Sequence, residues 1–399
     1  MMRKLICLMA IFYFIQTYAS NPGIFSISLE LYLKENLNFK AAELTAFLSL
    51  AAFPWFFKPI WGLIADSFTL FGYHLKSYFI VCYAVAAIVL FYLSRFQNYQ
   101  NYILLISLVI ISICISFSDV LTDKLMVVEG KLRGQISVLQ ASQWTARGLG
   151  GALMYYLGGW VAQNANLSLA FLITAFVPMA GLIAALTMLS EPKVASEKKS
   201  WKISINSLWS ATKSWQFITV IIFITCFRCR PEPPLFYYQR DILNFSAEFL
   251  GILGALTSIS IAIGAILFGI FAPKFSLPIL LNFSMAFKVT NTIALIFISN
   301  EQSAILIWIF CGLTDVIATL GVLEIAARSC PKNAEGTAYA LLMSVWNFAG
   351  TPGIILGGWL WDKGMSFSWL VIICTIFSIF CWLLLPLLKL EKLRFNSEQ

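Results

Sequence analysis

Ten charged side chains stand inside stretches that are otherwise apolar: Lys58, Asp119, Asp123, Arg147, Arg228, Arg230, Glu232, Lys288, Asp315 and Glu324. A charge in an apolar segment is costly to desolvate, so it either pairs with an opposite charge or carries function. The mixture of signs lets these ten neutralise one another. Asp119 and Asp123 are four residues apart and share one helical face. Two carboxylates that close resist joint ionisation, so one of them holds a proton near neutral pH, which suits proton coupling. The alternative is that Asp123 ends its helix at the membrane surface beside Lys124. Arg228 and Arg230 lie about 200° apart on an ideal helix. They cannot both face one cavity unless the helix breaks, which Pro231 permits. One of them would then bind an anion while the other pairs with a carboxylate. Lys288 is mid-segment and reads as a cavity or ion-pair residue. Glu324 has Arg328 one turn further on as a salt-bridge partner.

Other chemistries are poorly supplied. His74 is the only histidine, which argues against a histidine-ligated metal. The nine cysteines are scattered, and Cys226-x-x-Cys229 lies in an apolar segment without a second pair, so it reads as small buried residues. No cofactor or metal is implied. The net charge of +8 is explained by loop lysines and arginines that orient the chain in a bilayer, not by nucleic acid.

The elements that carry these residues are membrane helices. Of 399 residues 60% are hydrophobic and 12% charged, against about 25% charged in a soluble domain. Apolar stretches of spanning length, about 20 residues each, recur at 5–33, 43–66, 77–94, 101–123, 134–162, 167–189, 213–239, 247–271, 276–298, 302–326, 334–361 and 367–388. The expected fold is all-α, about twelve transmembrane helices in two six-helix bundles. Arg3-Lys4 followed by an apolar run to Ala19 has the form of a signal peptide. Apolar sequence resumes after Asn21-Pro22-Gly23 and runs to Leu33, so a retained, kinked first helix is the preferred reading. The polar connection from Glu191 to Thr212 separates an N-terminal bundle (1–190) from a C-terminal one (213–399), with 191–212 as linker. Basic residues gather on one set of connections, while the other set holds only Lys34, Lys40, Arg95, Arg240 and Lys363. Both termini are therefore expected in the cytoplasm.

The halves repeat. Tyr32, Lys34, Leu37-Asn38-Phe39 and Ala41 match Tyr238, Arg240, Leu243-Asn244-Phe245 and Ala247 at one constant offset. Ser118-Asp119-Val120 matches Thr314-Asp315-Val316, and Gly158-Gly159-Trp160 matches Gly357-Gly358-Trp359. The first helix of each half is interrupted, at Asn21-Pro22-Gly23 and at Pro231-Glu232-Pro233-Pro234. Freed backbone groups in lipid are tolerated only inside protein or beside water, so either these paired breaks flank a site near the bilayer midplane or they are two unrelated kinks. Gly148, Gly150-Gly151, Gly350 and Gly353 permit close helix packing.

The run from Pro54 to Asp66 (Pro-Trp-Phe-Phe-Lys-Pro-Ile-Trp-Gly-Leu-Ile-Ala-Asp) resembles the folate–biopterin transporter family, a branch of the major facilitator superfamily. The likeness continues through Phe71-Gly72-Tyr73, Asp119-Val120-x-x-Asp123 with Glu129, and Gln140-x-x-x-Trp144-x-x-Arg147-x-x-Gly150. In the second half it takes in Phe236-Tyr237-Tyr238 and Leu243-Asn244-Phe245-Ser246. His74-Leu75-Lys76-Ser77 departs from it, keeping one lysine where the family has a basic run. The resemblance implies a secondary transporter in the cell membrane that moves folate or a related pterin, with a proton as coupling ion, acting as a monomer. Substrate would meet Arg147, Arg228, Arg230, Asp119, Trp144, Glu232, Tyr237, Lys288 and Asp315. Asp119 and Asp123 would couple the proton, and Lys58 and Asp66 would serve gating. The same fold carrying another organic anion or a muropeptide-like solute is the alternative, and a membrane-embedded enzyme a remote one.

The expected topology has a direct test. A Ser196→Cys variant should react with a membrane-impermeant maleimide only when the cytoplasmic face is opened. Labelling from outside intact cells would reverse the assigned orientation.

Overall fold

The computed structural model describes residues 2–19, 23–39, 41–193, 201–231, 233–235, 238–332 and 334–388. In chain order its α-helices are α1 (Met2–Ala19), α2 (Ser26–Glu35), α3 (Ala41–Ala52), α4 (Lys58–Ser67), α5 (Lys76–Leu93), α6 (Asn101–Arg133), α7 (Ile136–Asn164), α8 (Leu167–Thr187), α9 (Trp201–Lys213), α10 (Trp215–Arg228), α11 (Ala247–Phe271), α12 (Leu277–Ala294), α13 (Glu301–Ser329), α14 (Glu335–Asp362) and α15 (Phe367–Leu383). Apart from one isolated bridge, Leu70 to Tyr73, the described residues contain no β-structure. Helix is what lipid demands, because each backbone donor must find its acceptor within the segment.

Nine of the described helical spans are long and apolar enough to cross a membrane, ten if α9 and α10 are taken as one broken span. The two further spans expected from sequence, 5–33 and 134–162, correspond to α1 with α2 and to α7. Both are diluted by polar and small residues, such as Gln16 and Thr17 in α1 and Gln140, Gln143 and Gly148 in α7. Asn166, Ser246, Asn300 and Ser366 cap α8, α11, α13 and α15 by accepting a backbone N–H three residues on.

Boundaries differ from the sequence expectation at α10, which ends at Arg228 where the expected span ran to 239, at α6 and in the linker. Helix α6 runs to Arg133, ten residues beyond the expected end at 123, because hydropathy marks where lipid ends and not where the helix does. The extra turns carry an i,i+4 pair, Glu129 to Arg133 at 2.6 Å. They stop at Gly134, whose φ of 61° favours glycine, with Gln135 N–H closing onto Gly130 O at 2.9 Å. The polar linker, expected only as a connection, contains α9. Its Ile205–Lys213 portion is bent 79° from α10.

The chain divides into two compact units. The first is Met1–Met126, Leu149–Ile205 and Asn333–Ala340; the second is Val127–Gly148, Asn206–Lys332 and Leu341–Gln399. The core of the first is aromatic. Phe12 stacks on Phe79 with centroids 4.3 Å apart, and Tyr83 joins both. Tyr32 meets Tyr99 edge-on at 5.2 Å, and its hydroxyl accepts the Tyr99 N–H at 2.8 Å. Burial pushes the Tyr99 phenol up. The second unit packs one cluster around Phe268, Val316 and Leu320 and another around Phe245, Phe249 and Ile298.

The repeat reaches into the backbone of each unit. Asn38 and Asn244 both adopt left-handed conformations, with φ of 54° and 55°. Phe39 N–H bonds Leu33 O at 3.0 Å, and Phe245 N–H bonds Gln239 O at 2.9 Å. Leu37 to Tyr32 and Leu243 to Tyr238 repeat in the same way, at 3.2 and 3.1 Å. Asparagine tolerates this conformation better than other side chains, which is why the Leu-Asn-Phe triplet recurs.

Within the first unit, α4 crosses the first turn of α14 at Gly62. A Cβ on Gly62 would lie 2.7 Å from Gly336 O and from Thr337 Cα, both backbone atoms that cannot swing aside. Gly62→Ala is therefore expected to cost about 1–3 kcal/mol, read as a lower thermal midpoint of the purified protein. An unchanged midpoint would mean that the two helices do not depend on this contact.

Candidate functional site

Each unit carries its own set of charges on otherwise apolar helices. In the first unit α6 carries Asp119 and Asp123 one turn apart, both buried. Because α6 continues for ten residues beyond it, Asp123 does not end its helix. Lys58 opens α4 directly after the 3-10 turn Phe53–Phe57, where Pro54 and Pro59 make a helical restart cheap. Its Nζ lies 2.5 Å from Asp119 Oδ2 and 4.8 Å from the centre of the Trp55 ring. Asp123 Oδ1 accepts the Tyr13 hydroxyl of α1 at 2.8 Å. The two carboxylates, expected to share one environment, are thus drawn to different partners, an ammonium and a phenol.

Lys124 turns away from its neighbour Asp123. Its Nζ donates to Ala65 O at 2.5 Å and lies 3.1 Å from Asp66 Oδ1. Asp66, at the far end of α4 from Lys58, also accepts the backbone N–H groups of Gly336 and Thr337 at 3.2 and 2.8 Å, and the Thr337 hydroxyl at 2.7 Å. A carboxylate there satisfies amides that have no intrahelical acceptor and sits at the positive end of the α14 dipole. The two residues expected to serve gating therefore belong to separate clusters, Lys58 with Asp119 and Asp66 with Lys124.

The second unit repeats the logic with different pieces. Asp315 of α13, the repeat counterpart of Asp119, is ion-paired with Lys288 of α12. The lysine side chain is 5% exposed and the aspartate 47%, so the pair is open on its acid side. Lys288 Nζ also lies 5.3 Å from the centre of the Phe227 ring. Helix α10 ends at Arg228, and Cys229 leaves helical geometry with ψ of 79°. That break comes two residues before Pro231 and sends the two arginines to different partners. Arg230 donates to Thr292 Oγ1 at 3.2 Å and Ser378 Oγ at 3.3 Å. Arg228 lies over the Trp346 ring at 5.0 Å. Arg147 lies over Trp144 at 5.1 Å and is exposed. Glu324 is fully buried and held by Arg328 through Nη2 at 2.7 Å and Nε at 2.9 Å. Glu232 and Tyr237 lie outside the described residues. Among the described residues, no group of three or more His, Cys, Asp or Glu is placed to hold a metal.

Trp346 escaped the sequence reading. The signal was present: Ser142-x-Trp144-x-x-x-Gly148 on α7 recurs as Ser344-x-Trp346-x-x-x-Gly350 on α14. Three identities over seven positions do not stand out until the structure puts an arginine on each indole.

Solved structures share this architecture. A mutant of the nucleoside transporter NupG aligns with a TM-score of 0.60 at 15% identity, covering 96% of this chain and 99% of its own. The human organic anion transporter MFSD10 (TETRAN) aligns at 0.67 and 13%, covering 97% and 99%. The apolar spans, the compensated charges and this likeness define a multi-pass membrane protein with the major facilitator fold. Residues 20–394 match the BT1 family, and the chain belongs to it. The folate-biopterin transporter of Synechocystis sp. is 29% identical over 399 residues, which takes in 92% of this chain and 78% of that protein. Folate transporter 1 of Plasmodium falciparum is 26% identical over 378 residues, 89% of this chain and 74% of that one. The chain is accordingly a transporter of a small molecule, not an enzyme.

The buried pair of the first unit is open to a double-variant test. Lys58→Met leaves Asp119 without its cation and should destabilise the protein by roughly 3–5 kcal/mol. Lys58→Met with Asp119→Leu should recover most of that loss in thermal unfolding. A double variant as unstable as the single one would show that charge compensation is not what the pair supplies.

Proposed function

We propose that this protein is a secondary active transporter that carries folate or a related pterin across the cell membrane with a proton, by alternating access. The reading rests on one combination above all. In a family whose relatives include named folate transporters, two arginines are laid on tryptophan faces and have no ion pair among the described residues. A folate has a flat pterin ring and an anionic glutamate tail. Arg147 and Arg228 present planar N–H edges that match carboxylates, which a lysine would meet only as a point charge. Trp144 offers an aromatic face of the kind a ring stacks on. The half-exposed carboxylate of Asp315 pairs with the amino and N–H edge of the pterin. Arg230, Lys288, Glu232 and Tyr237 complete the substrate set.

Proton coupling falls to Asp119 and Asp123. Protonating Asp119 removes the counter-charge of buried Lys58, so proton binding and rearrangement of the α4–α6 contact go together. Asp66 acts in gating through its hold on the first turn of α14, and Lys58 through Asp119. The protein works as a monomer, with both termini in the cytoplasm.

Uptake by reconstituted protein tests this reading. Folate, 5-formylfolate or biopterin should accumulate when the lumen is made alkaline, and Asp119→Asn or Asp123→Asn should abolish uphill accumulation while sparing some exchange. Undiminished gradient-driven uptake in both variants would overturn the proton mechanism. Counterflow with another organic anion but with no pterin would overturn the substrate.

A further inference from the structure

One turn of α14 supplies three things to a single guanidinium. The Trp346 ring lies beneath Arg228 at 5.0 Å, and the ring of Phe227 braces it at 5.5 Å. The Trp346 carbonyl accepts from Arg228 Nε at 3.4 Å. Gly350, four residues on, makes the room: a Cβ there would lie 2.6 Å from Arg228 Nη2. In the repeat-related position on α7, Trp144 carries Arg147, which reaches it from the same helix. Both indoles pack against the one buried cluster that contains Phe268, Val316 and Leu320. Two other arginines are spent on carboxylates: Arg133 holds Glu129 and Arg328 holds Glu324. Among the described residues Arg147 and Arg228 have no such partner.

A guanidinium over an indole still has several N–H donors, and Arg228 has donors beyond the Nε that the Trp346 carbonyl accepts. Two such cations ask for two anionic groups on the ligand. We infer that Trp346 and Gly350 set Arg228 as a carboxylate receptor in addition to Arg147 on Trp144, so that the protein selects flat aromatic substrates bearing two carboxylates over those bearing one or none. This rests on the pterin reading given above and deepens it. Folate bears two carboxylates, pteroate one and biopterin none, so the three ligands form a graded probe. Trp346 acts here as a positioning residue.

Competition binding to the purified protein decides the matter. Wild type should rank folate above pteroate above biopterin, with roughly tenfold in affinity for each carboxylate lost. Trp346→Ala, Gly350→Ala and Arg228→Lys should each bring folate down toward pteroate while costing biopterin far less. Trp346→Phe, which keeps a flat face under the arginine, should restore most of the folate affinity. Equal wild-type affinity for the three ligands, or an equal loss for all three in Arg228→Lys and Trp346→Ala, would overturn the inference while leaving the pterin reading standing. Wild-type protein that binds none of the three would overturn both.

Discussion

A buried ammonium must be compensated wherever water cannot reach it, and the Lys58–Asp119 pair shows how far this constraint shapes the fold. The lysine opens a helix and the aspartate sits in the middle of another, so the pair fixes the rotation of α4 and α6 at once. One turn along, Asp123 binds α1 through Tyr13. A single face of α6 therefore orders three helices of its unit. Replacing the pair by apolar residues would remove the cost of desolvation, but would also remove the specificity that makes each helix choose one rotation.

The same economy appears at the start of α14. Asp66 is shared among an ammonium, two backbone amides and a hydroxyl, which together use the acceptor capacity of both its oxygens. The second unit answers with Lys288 and Asp315, where the acid holds the repeat position of Asp119 but the lysine comes from α12. The carboxylate holds the matching position of the sequence repeat, and the cation comes from a different helix in each case.

Much of this was legible in the sequence. Helix positions were, because spanning segments must be apolar and nothing else in the chain is. The Leu-Asn-Phe repeat was, because it encodes a backbone conformation that few residues accept. The charged residues themselves were, since an ion inside an apolar run is conspicuous. Their partners were not. Tyr13 lies 110 residues from Asp123 and Thr337 lies 271 from Asp66, and no local pattern announces such contacts. Helix α9 was hidden because it is amphipathic and short, so a hydropathy average sees only polarity. Arg228 and Arg230 were half legible: helical geometry said they must part, but Trp346, Thr292 and Ser378 had to be seen.

Eight of the helices fall into a long and a short set. α6, α7, α13 and α14 have 33, 29, 29 and 28 residues, whereas α5, α8, α12 and α15 have 18, 21, 18 and 17. At 1.5 Å per residue the long set reaches more than about 40 Å and the short set about 25–32 Å, against a hydrocarbon core of about 30 Å. The short helices match the bilayer, while the long ones overreach it at tilts up to about 40°. Hydrophobic mismatch in a thinner or thicker membrane therefore falls on α5, α8, α12 and α15. Asp119, Asp123, Arg147 and Asp315 all lie on the long helices. Acyl-chain length acts on the scaffold before it acts on the charges.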